Sequence, residues 1–536
     1  MLGNRKSSVM VVILIIMLGL VVSGCSNAGN LPQSEMKISW NPGPEPRTLD
    51  PQMSNSTPEL IIELNLFEGL LRLDKDNNPQ NALADSITVT PDGLNYSVKL
   101  KDTKWSNGDP VTAEDFKFAW MHALDPEAAS EYAYQLFYIK NGEAYNNKSA
   151  KAEDVGIKVI DPKTLEITLE SPTPYFKSLL AFPTYFPVNK KVAEANQEWN
   201  LKPETYVSNG PFKMQSWSHN DKMVLVRNPN YWDAENVKIT ELTFNLVEDG
   251  KAALTAFEAN QLDGTDNIPS SDIERLKQAG TLKAAPSLST YYYCFNVTKK
   301  PFDNPKVCQA LSMAIDRKAL IENVVKGGET AAFAVVPGGI PDETAGKSFR
   351  EAGGDYFKED MALAKQLLTD AGYPEGNSFP EISILYNNSG SNQILAQAIQ
   401  DMWLKNLGIK VNLVGQEAQV YLASIQNQQY DAAKMEWVGD FVDPMTFLDV
   451  FVTNNGNNFP GWSNSDYDQA VATAKESGDQ KVRMQAMHAA EKILITEMPL
   501  MPIYFSVNNY VVKDYIKDLT LSPFGFFDFK NAVVEK

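Results

Sequence analysis

Residues 381–440 read EISILYNNSGSNQILAQAIQDMWLKNLGIKVNLVGQEAQVYLASIQNQQYDAAKMEWVGD. The run 381–386 is short, apolar and strand-like. Asn392 is placed to cap a helix that continues to Leu407, and Gly408 stands where a helix end needs a residue that tolerates the left-handed conformation. A second strand follows at 409–414, a helical stretch at 418–427, and a third strand at 431–437. Strand–helix–strand–helix–strand at this spacing predicts a doubly wound unit, because parallel strands need a crossover and a helix usually supplies it. Ligands of such sheets gather beyond the carboxyl ends of the strands. Asp440 stands there, in Trp437-Val438-Gly439-Asp440-Phe441, so an acid beside Trp437 and Gly439 is a candidate binding site.

The rest of the chain also mixes strands and helices, which favours an α/β or α+β architecture. Residues 96–100 (YSVKL) and 165–169 (LEITL) alternate as half-buried strands do. Between them, Thr112-Ala113-Glu114-Asp115 has the form of a capping box. Phe116, Ala119, Trp120, Ala123 and Leu124 continue it as one apolar helical stripe, and Pro126 stops it. The stretch 286–305 (PSLSTYYYCFNVTKKPFDNP) is rich in Ser, Tyr and Pro, and the α/β pattern restarts at Val307. It reads as a linker between two lobes rather than a hairpin. No repeat of 20–50 residues is present.

A chain of 536 residues, 43% of them hydrophobic, has the material for two or three domains with sizeable cores. Its 48 basic and 67 acidic residues leave a net charge of −19, which makes a general nucleic-acid partner improbable. Arg5 and Lys6 precede fourteen uncharged apolar or small residues at 9–22, the length of a signal h-region and short of a spanning helix. Val22-Ser23-Gly24-Cys25 then resembles the lipobox of bacterial lipoproteins. On that likeness residues 1–24 are a signal peptide, Cys25 carries the lipid, and 25–36 form a flexible tether. The implied location is the outer face of the cell membrane. Cys294 and Cys308 remain, too few for a disulfide scaffold, though the two together could form one bridge.

Catalytic signatures are missing from the sequence. His122, His219 and His488 stand far apart and in no metal-binding spacing. Gly346-Lys347-Ser348 lacks the earlier glycine of a P-loop, since position 341 is Pro341. Asp74-Lys75-Asp76-Asn77-Asn78-Pro79 begins like a calcium loop but has Pro79 where the loop requires Gly, so it reads as a polar turn. Neither a GxSxG elbow nor a GxGxxG fingerprint occurs. The reading is a non-enzyme that needs no metal or cofactor.

Longer strings carry a resemblance. Thr90-Pro91-Asp92-Gly93-Leu94 followed by Trp105-Ser106-Asn107-Gly108-Asp109-Pro110-Val111-Thr112-Ala113-Glu114-Asp115-Phe116 resembles the signature of the peptide/nickel family (family 5) of ABC-importer solute-binding proteins. Leu66-Phe67-Glu68-Gly69-Leu70, Ser208-Asn209-Gly210-Pro211-Phe212, Arg227-Asn228-Pro229-Asn230-Tyr231-Trp232 and Pro301-Phe302-Asp303-Asn304 follow in the family's order. Within the family, the chain is most similar to oligopeptide- and dipeptide-binding lipoproteins.

The resemblance implies a two-lobed α/β fold of the periplasmic-binding-protein type (type II), with a hinge and a subdomain inserted in the first lobe. Lobe I would comprise 37–66, 188–289 and 509–536, the inserted subdomain 67–187, and lobe II 290–508. The implied function is capture of short peptides, with delivery to the transmembrane subunits of an ABC permease by a lipid-anchored monomer. It implies that Asp440 holds the peptide's α-ammonium and that Trp437 and Gly439 border it. Tyr132 would line the pocket, and Asn209 and Gly210 would form a nearby loop. Lys434 would meet the peptide's carboxylate as a point charge where relatives carry other basic groups. Relatives share the fold but not the ligand, so a signalling peptide, a nickel chelate, haem or a sugar stays open as cargo. A secreted peptidase is the alternative from another class.

Overall fold

A computed structural model describes residues 36–75, 77–388 and 391–535; the signal-like segment, the lipidation candidate Cys25 and the tether as far as residue 35 lie outside them. In chain order, the strands of the two main sheets begin with β1 (Lys37–Asn41), β2 (Ala84–Val89), β3 (Asn95–Leu100), β4 (Ile157–Asp161) and β5 (Thr164–Thr168). Next come β6 (Phe212–Ser218), β7 (Lys222–Arg227), β8 (Glu241–Asn245), β9 (Gly264–Thr265) and β10 (Leu282–Phe295). The last are β11 (Thr330–Ala331), β12 (Ile382–Asn387), β13 (Val411–Gln416), β14 (Ala432–Val438) and β15 (Leu500–Val512). Four helices matter below: α1 (Ala113–Leu124), α2 (Asn392–Leu407), α3 (Ala418–Gln426) and α4 (Gln480–Glu497).

The doubly wound unit is present. β12 runs parallel to β13 on one side and to β14 on the other, with α2 and α3 as the crossovers. Ile384, Leu385, Ala432 and Ala433 are buried at the centre, as expected for strands covered on both faces. Gly408 ends α2 at φ +71°, donating to the carbonyls of Leu404 and Trp403. The start of α2 differs from expectation: Ser391 is the N-cap and Asn392 is already helical. The Asn392 amide instead joins elements, accepting from Tyr291 Oη at 3.0 Å and donating to Asn387 Oδ1 at 2.9 Å.

Of the segment taken as a linker, 286–295 belongs to strand β10, and the remainder is a turn leading into a helix at Pro305–Met313. β10 pairs with β15 antiparallel along its length, from Leu282 opposite Val511 to Cys294 opposite Leu500. The full sheet runs β13-β12-β14-β10-β15-β9-β1-β8-β7-β6, with β11 added to β15. At one end of the pair, β15 meets β9 through Val511 and Val512. At the other, β10 meets β14 from Ser289 to Phe295. The two strands therefore join two halves of one sheet, and their register shifts between Pro286 and Thr290. Proline supplies no N–H to the ladder, which explains why the shift begins there.

Next to this sheet stands a four-stranded antiparallel one, β2-β3-β5-β4. Its helix α1 starts as the sequence predicts. The Asp115 carboxylate accepts from Thr112 N at 2.8 Å and from Thr112 Oγ1 at 3.0 Å. Phe116, Ala119, Trp120, Ala123 and Leu124 are all fully buried. Cys294 and Cys308 are buried free thiols, and burial pushes Cys294 up to about 12.

Gly264 in β9 shows how closely β1 and β15 approach. A Cβ there would overlap the buried Trp40 ring and lie 2.8 Å from Val511 O. Gly264→Ala is expected to cost about 1–3 kcal/mol through overpacking, read from denaturant unfolding. A loss below roughly 0.5 kcal/mol, within the range of ordinary surface changes, would show that the strands have room.

Candidate functional site

Asp440 follows β14 by two residues, at the carboxyl end of a central strand. Two bonds shape the turn that presents it. Gly439 N donates to Leu288 O at 2.7 Å, and Asp440 N donates to Thr446 Oγ1 at 2.9 Å. A side chain at 439 would press on Thr446 and Phe447, with a Cβ 3.0 Å from Thr446 Cγ2, so glycine suits the position.

The loop after Asp440 is anchored from α4. Arg483, fully buried, donates from Nη2 to both carboxylate oxygens of Asp443, at 2.9 and 3.0 Å, while Asp443 Oδ1 also accepts from Met445 N at 3.0 Å. Phe441 stacks on Tyr175 with ring centroids 4.4 Å apart and planes 3° from parallel. The Arg483 guanidinium lies over the other ring of that pair, 5.4 Å from the Tyr175 centroid. Tyr175 comes from the segment beyond the four-stranded sheet, so these contacts span from that sheet to the β14 loop.

Between them lies a cavity of about 530 Å³, bordered by Tyr134, Tyr138, Tyr175, Trp437, Asp440 and Phe441. Tyr134 Oη donates to Asp440 Oδ2 at 3.1 Å. No basic side chain among the described residues lies within ion-pair distance of Asp440. Burial pushes its carboxyl up to about 7; the Tyr134 and Gln135 hydrogen bonds oppose the shift and the charge of Asp449 adds to it. Asp449 itself is paired with Lys475 at 2.8 Å. Trp437 Nε1 is buried in the wall with no acceptor. The cavity therefore offers an acid without a counterion and an N–H without an acceptor. Chemically, that suits a ligand carrying a cation and a nearby carbonyl.

The structure places Trp437 and Asp440 on the wall of this cavity, while Gly439 forms the turn between them and does not border it. Tyr132 stands one ring behind the wall, 5.6 Å from Tyr134 and 5.6 Å from Phe182 by centroids. Tyr134, two residues on, makes the direct bond. Asn209 and Gly210 are not brought to this cavity. Asn209 is fully buried, exchanging two 3.0 Å hydrogen bonds with the Glu68 backbone. Gly210 N donates to Leu66 O at 2.8 Å, and a Cβ would strike the same loop. Lys434 points its Nζ to Glu436 Oε2 at 3.6 Å and over the Tyr291 ring at 4.9 Å.

Tyr134, Phe441 and Arg483 were missed from the sequence. Tyr132 and Tyr134 flank the start of a short 3-10 helix, Ala133–Leu136, and nothing local says which ring faces Asp440. Arg483 did leave a signal: it occupies the buried face of α4 with Met484, Met487, Ala490 and Leu494. An arginine on such a face implies a buried acid opposite it.

Residues 78–459 match the family model of bacterial extracellular solute-binding proteins, family 5 (middle region). The chain is 36% identical to the oligopeptide-binding protein OppA of Bacillus subtilis, over 97% of this chain and 98% of that protein. It is also 36% identical to the dipeptide-binding protein DppE of the same organism, over 91% and 90% respectively. Among solved structures, it superposes on Listeria monocytogenes OppA bound to peptide with a TM-score of 0.79 at 32% identity, covering 94% of this chain and 100% of that one. No group of three or more ligand-type side chains among the described residues is placed to hold a metal ion.

Proposed function

We propose that this chain, which belongs to family 5 of the bacterial extracellular solute-binding proteins, captures short peptides between its two lobes for an ABC importer. The observation that carries the reading is the Asp440 carboxyl, set in a cavity at a strand end with no counterion of its own. A peptide's α-ammonium supplies that counterion: at ~4 Å and an effective dielectric near 20 the attraction is about 4 kcal/mol. The first peptide carbonyl then accepts from Trp437 Nε1. The rest of the peptide runs as an added strand along the end of β14, bonded through its main chain. Backbone bonds do not distinguish side chains, so the cargo is a class of peptides rather than one sequence.

The register shift at Pro286–Thr290 supports placing the lobe boundary near residue 289, with the return near 508 in the facing strand β15. On this reading lobe I holds 37–66, 188–289 and 509–536, the inserted subdomain 67–187, and lobe II 290–508. Lobe closure is a hinge motion driven by the ligand's higher affinity for the closed form. We further propose that Cys25 bears the lipid anchor on the outer face of the membrane and that a permease receives the cargo from a monomer. The lipobox-like sequence supports the first point and the family the second.

Calorimetric titration with unblocked tri- to pentapeptides tests the reading, and its pH dependence tests the site. Without ligand, Asp440 is held above the ordinary carboxyl value; with an ammonium beside it, the charged form is favoured and the value falls. Binding therefore releases a proton between those two values. Affinity is expected to be highest between about pH 7 and 8, to fall by up to about tenfold per unit as the pH drops below it, and to fall again above it as the peptide's own ammonium loses its proton. At pH 6, buffers of different ionisation enthalpy should report release of about one proton per peptide. Absence of binding would refute the function. Binding with no proton release would refute Asp440 as the ammonium partner.

A further inference from the structure

Resting on the peptide-binding reading, the walls of the cleft also indicate which peptides it takes. On the Asp440 side, Glu143, Glu170, Asp440 and Asp449 face one lysine, Lys475, already paired with Asp449. A second cavity, of about 340 Å³, lies on the other side of the same strand end. Successive residues of a strand face opposite ways. Accordingly, Trp437 borders the first cavity, while Glu436 and Val438 border the second.

This second cavity contains Asp266 and Glu436 and has no Lys, Arg or His in its lining. Asp266 has no ion-pair partner among the described residues, and burial pushes its carboxyl up to about 7. Asn508 Nδ2 and Asn509 Oδ1 are buried there without partners, so polar groups in this cavity still lack hydrogen bonds. A protonated amine or guanidinium on a peptide side chain would satisfy the acids; a carboxylate would meet them unscreened.

The cation expected to meet a peptide's C-terminus is already engaged. Lys434 Nζ sits 3.6 Å from Glu436 Oε2, and Glu436 Oε1 accepts from Ser289 Oγ at 2.9 Å and Ser506 Oγ at 3.0 Å. Three neighbouring strands thus fix the carboxylate that neutralises Lys434. An incoming carboxylate would find Glu436 beside that lysine, at a like-charge cost.

We infer that the cleft sorts peptides by charge: it favours lysine- and arginine-containing peptides, disfavours acidic ones, and leaves the C-terminal carboxylate unbound at Lys434.

The test is calorimetry on the full exported chain with four tetrapeptides: tetra-alanine as free acid and as C-terminal amide, Ala-Lys-Lys-Ala, and Ala-Glu-Glu-Ala. The acid and amide should bind within about twofold of each other, and the lysine peptide at least about tenfold more tightly than the glutamate peptide. Glu436→Gln, which releases Lys434, should create a preference of about fivefold for the free acid over the amide. An amide bound about tenfold more weakly than the acid by the unaltered protein, or a glutamate peptide bound as tightly as the lysine one, would overturn the inference. The comparisons on the unaltered protein decide the matter even if the variant does not fold. If none of the four binds, the peptide-binding reading itself falls and takes this inference with it.

Discussion

Asp440→Ala is expected to weaken peptide binding by ~2–5 kcal/mol, roughly 30-fold to several thousand-fold, because the ammonium is left in the cavity without its counterion. Tyr134 cannot replace it. Its hydroxyl bonds to Asp440 Oδ2 at 3.1 Å, and once the acid is gone it can offer an ammonium only a neutral oxygen. Acetylating the peptide's N-terminus removes the other half of the pair and should do similar damage to the unaltered protein. The two losses are not expected to add: the variant should bind capped and uncapped peptides nearly alike, since each change removes the same interaction. Calorimetry on the four combinations gives the coupling directly. Equal affinity of variant and parent for an uncapped peptide would remove Asp440 from the mechanism.

Arg483→Met is expected to cost ~3–5 kcal/mol of folding stability, the usual penalty for breaking a buried ion pair at one end. Arg483 is fully buried and Asp443 nearly so, with two bonds near 3 Å between them. Burial already pushes the Asp443 carboxyl up while Arg483 holds it down. Without the arginine, the acid must take up a proton or remain charged in a poor solvent. Replacing both partners, as Arg483→Met with Asp443→Leu, should recover most of the loss, because no charge is then stranded. Urea denaturation of the parent, the two singles and the double measures both claims. A single-variant loss below about 1 kcal/mol, typical of exposed pairs, would mean the pair is solvated. Peptide affinity should fall as well, since this pair anchors the loop that carries Asp440 and Phe441.

The parts of the fold legible from sequence were those where neighbouring residues already determine the outcome. The run 381–437 announced its strands because parallel strands covered on both faces are apolar throughout, and Gly408 marked the helix end. The α1 stripe was equally plain. The opposite held for β10. Its Ser, Tyr and Pro content looked like a connection because a strand shared by two halves of a sheet has no single polar face. Its partner, β15, lies more than two hundred residues away. The site divided in the same way. The position of Asp440, Trp437 and Gly439 at a strand end follows from strand order, while the roles given to them come from the family resemblance. Tyr134 and Tyr175 reach the cavity, and Arg483 supports its wall through Asp443 and Tyr175, only through tertiary packing, which local patterns do not encode. Asn209 and Gly210 resembled ligand contacts, yet their hydrogen bonds close a loop on Glu68 and Leu66.

The break in register between β10 and β15 has a mechanical consequence. A closed run of backbone rungs resists bending as a plank does, and here the rungs stop for three residues. Over that gap Leu288 bonds sideways instead, its N–H to Pro523 and its carbonyl to Gly439. At the lobe boundary proposed near residue 289, bending is therefore expected along this crease. Gly439 immediately precedes Asp440, so folding along that crease would carry the Asp440 carboxyl with it.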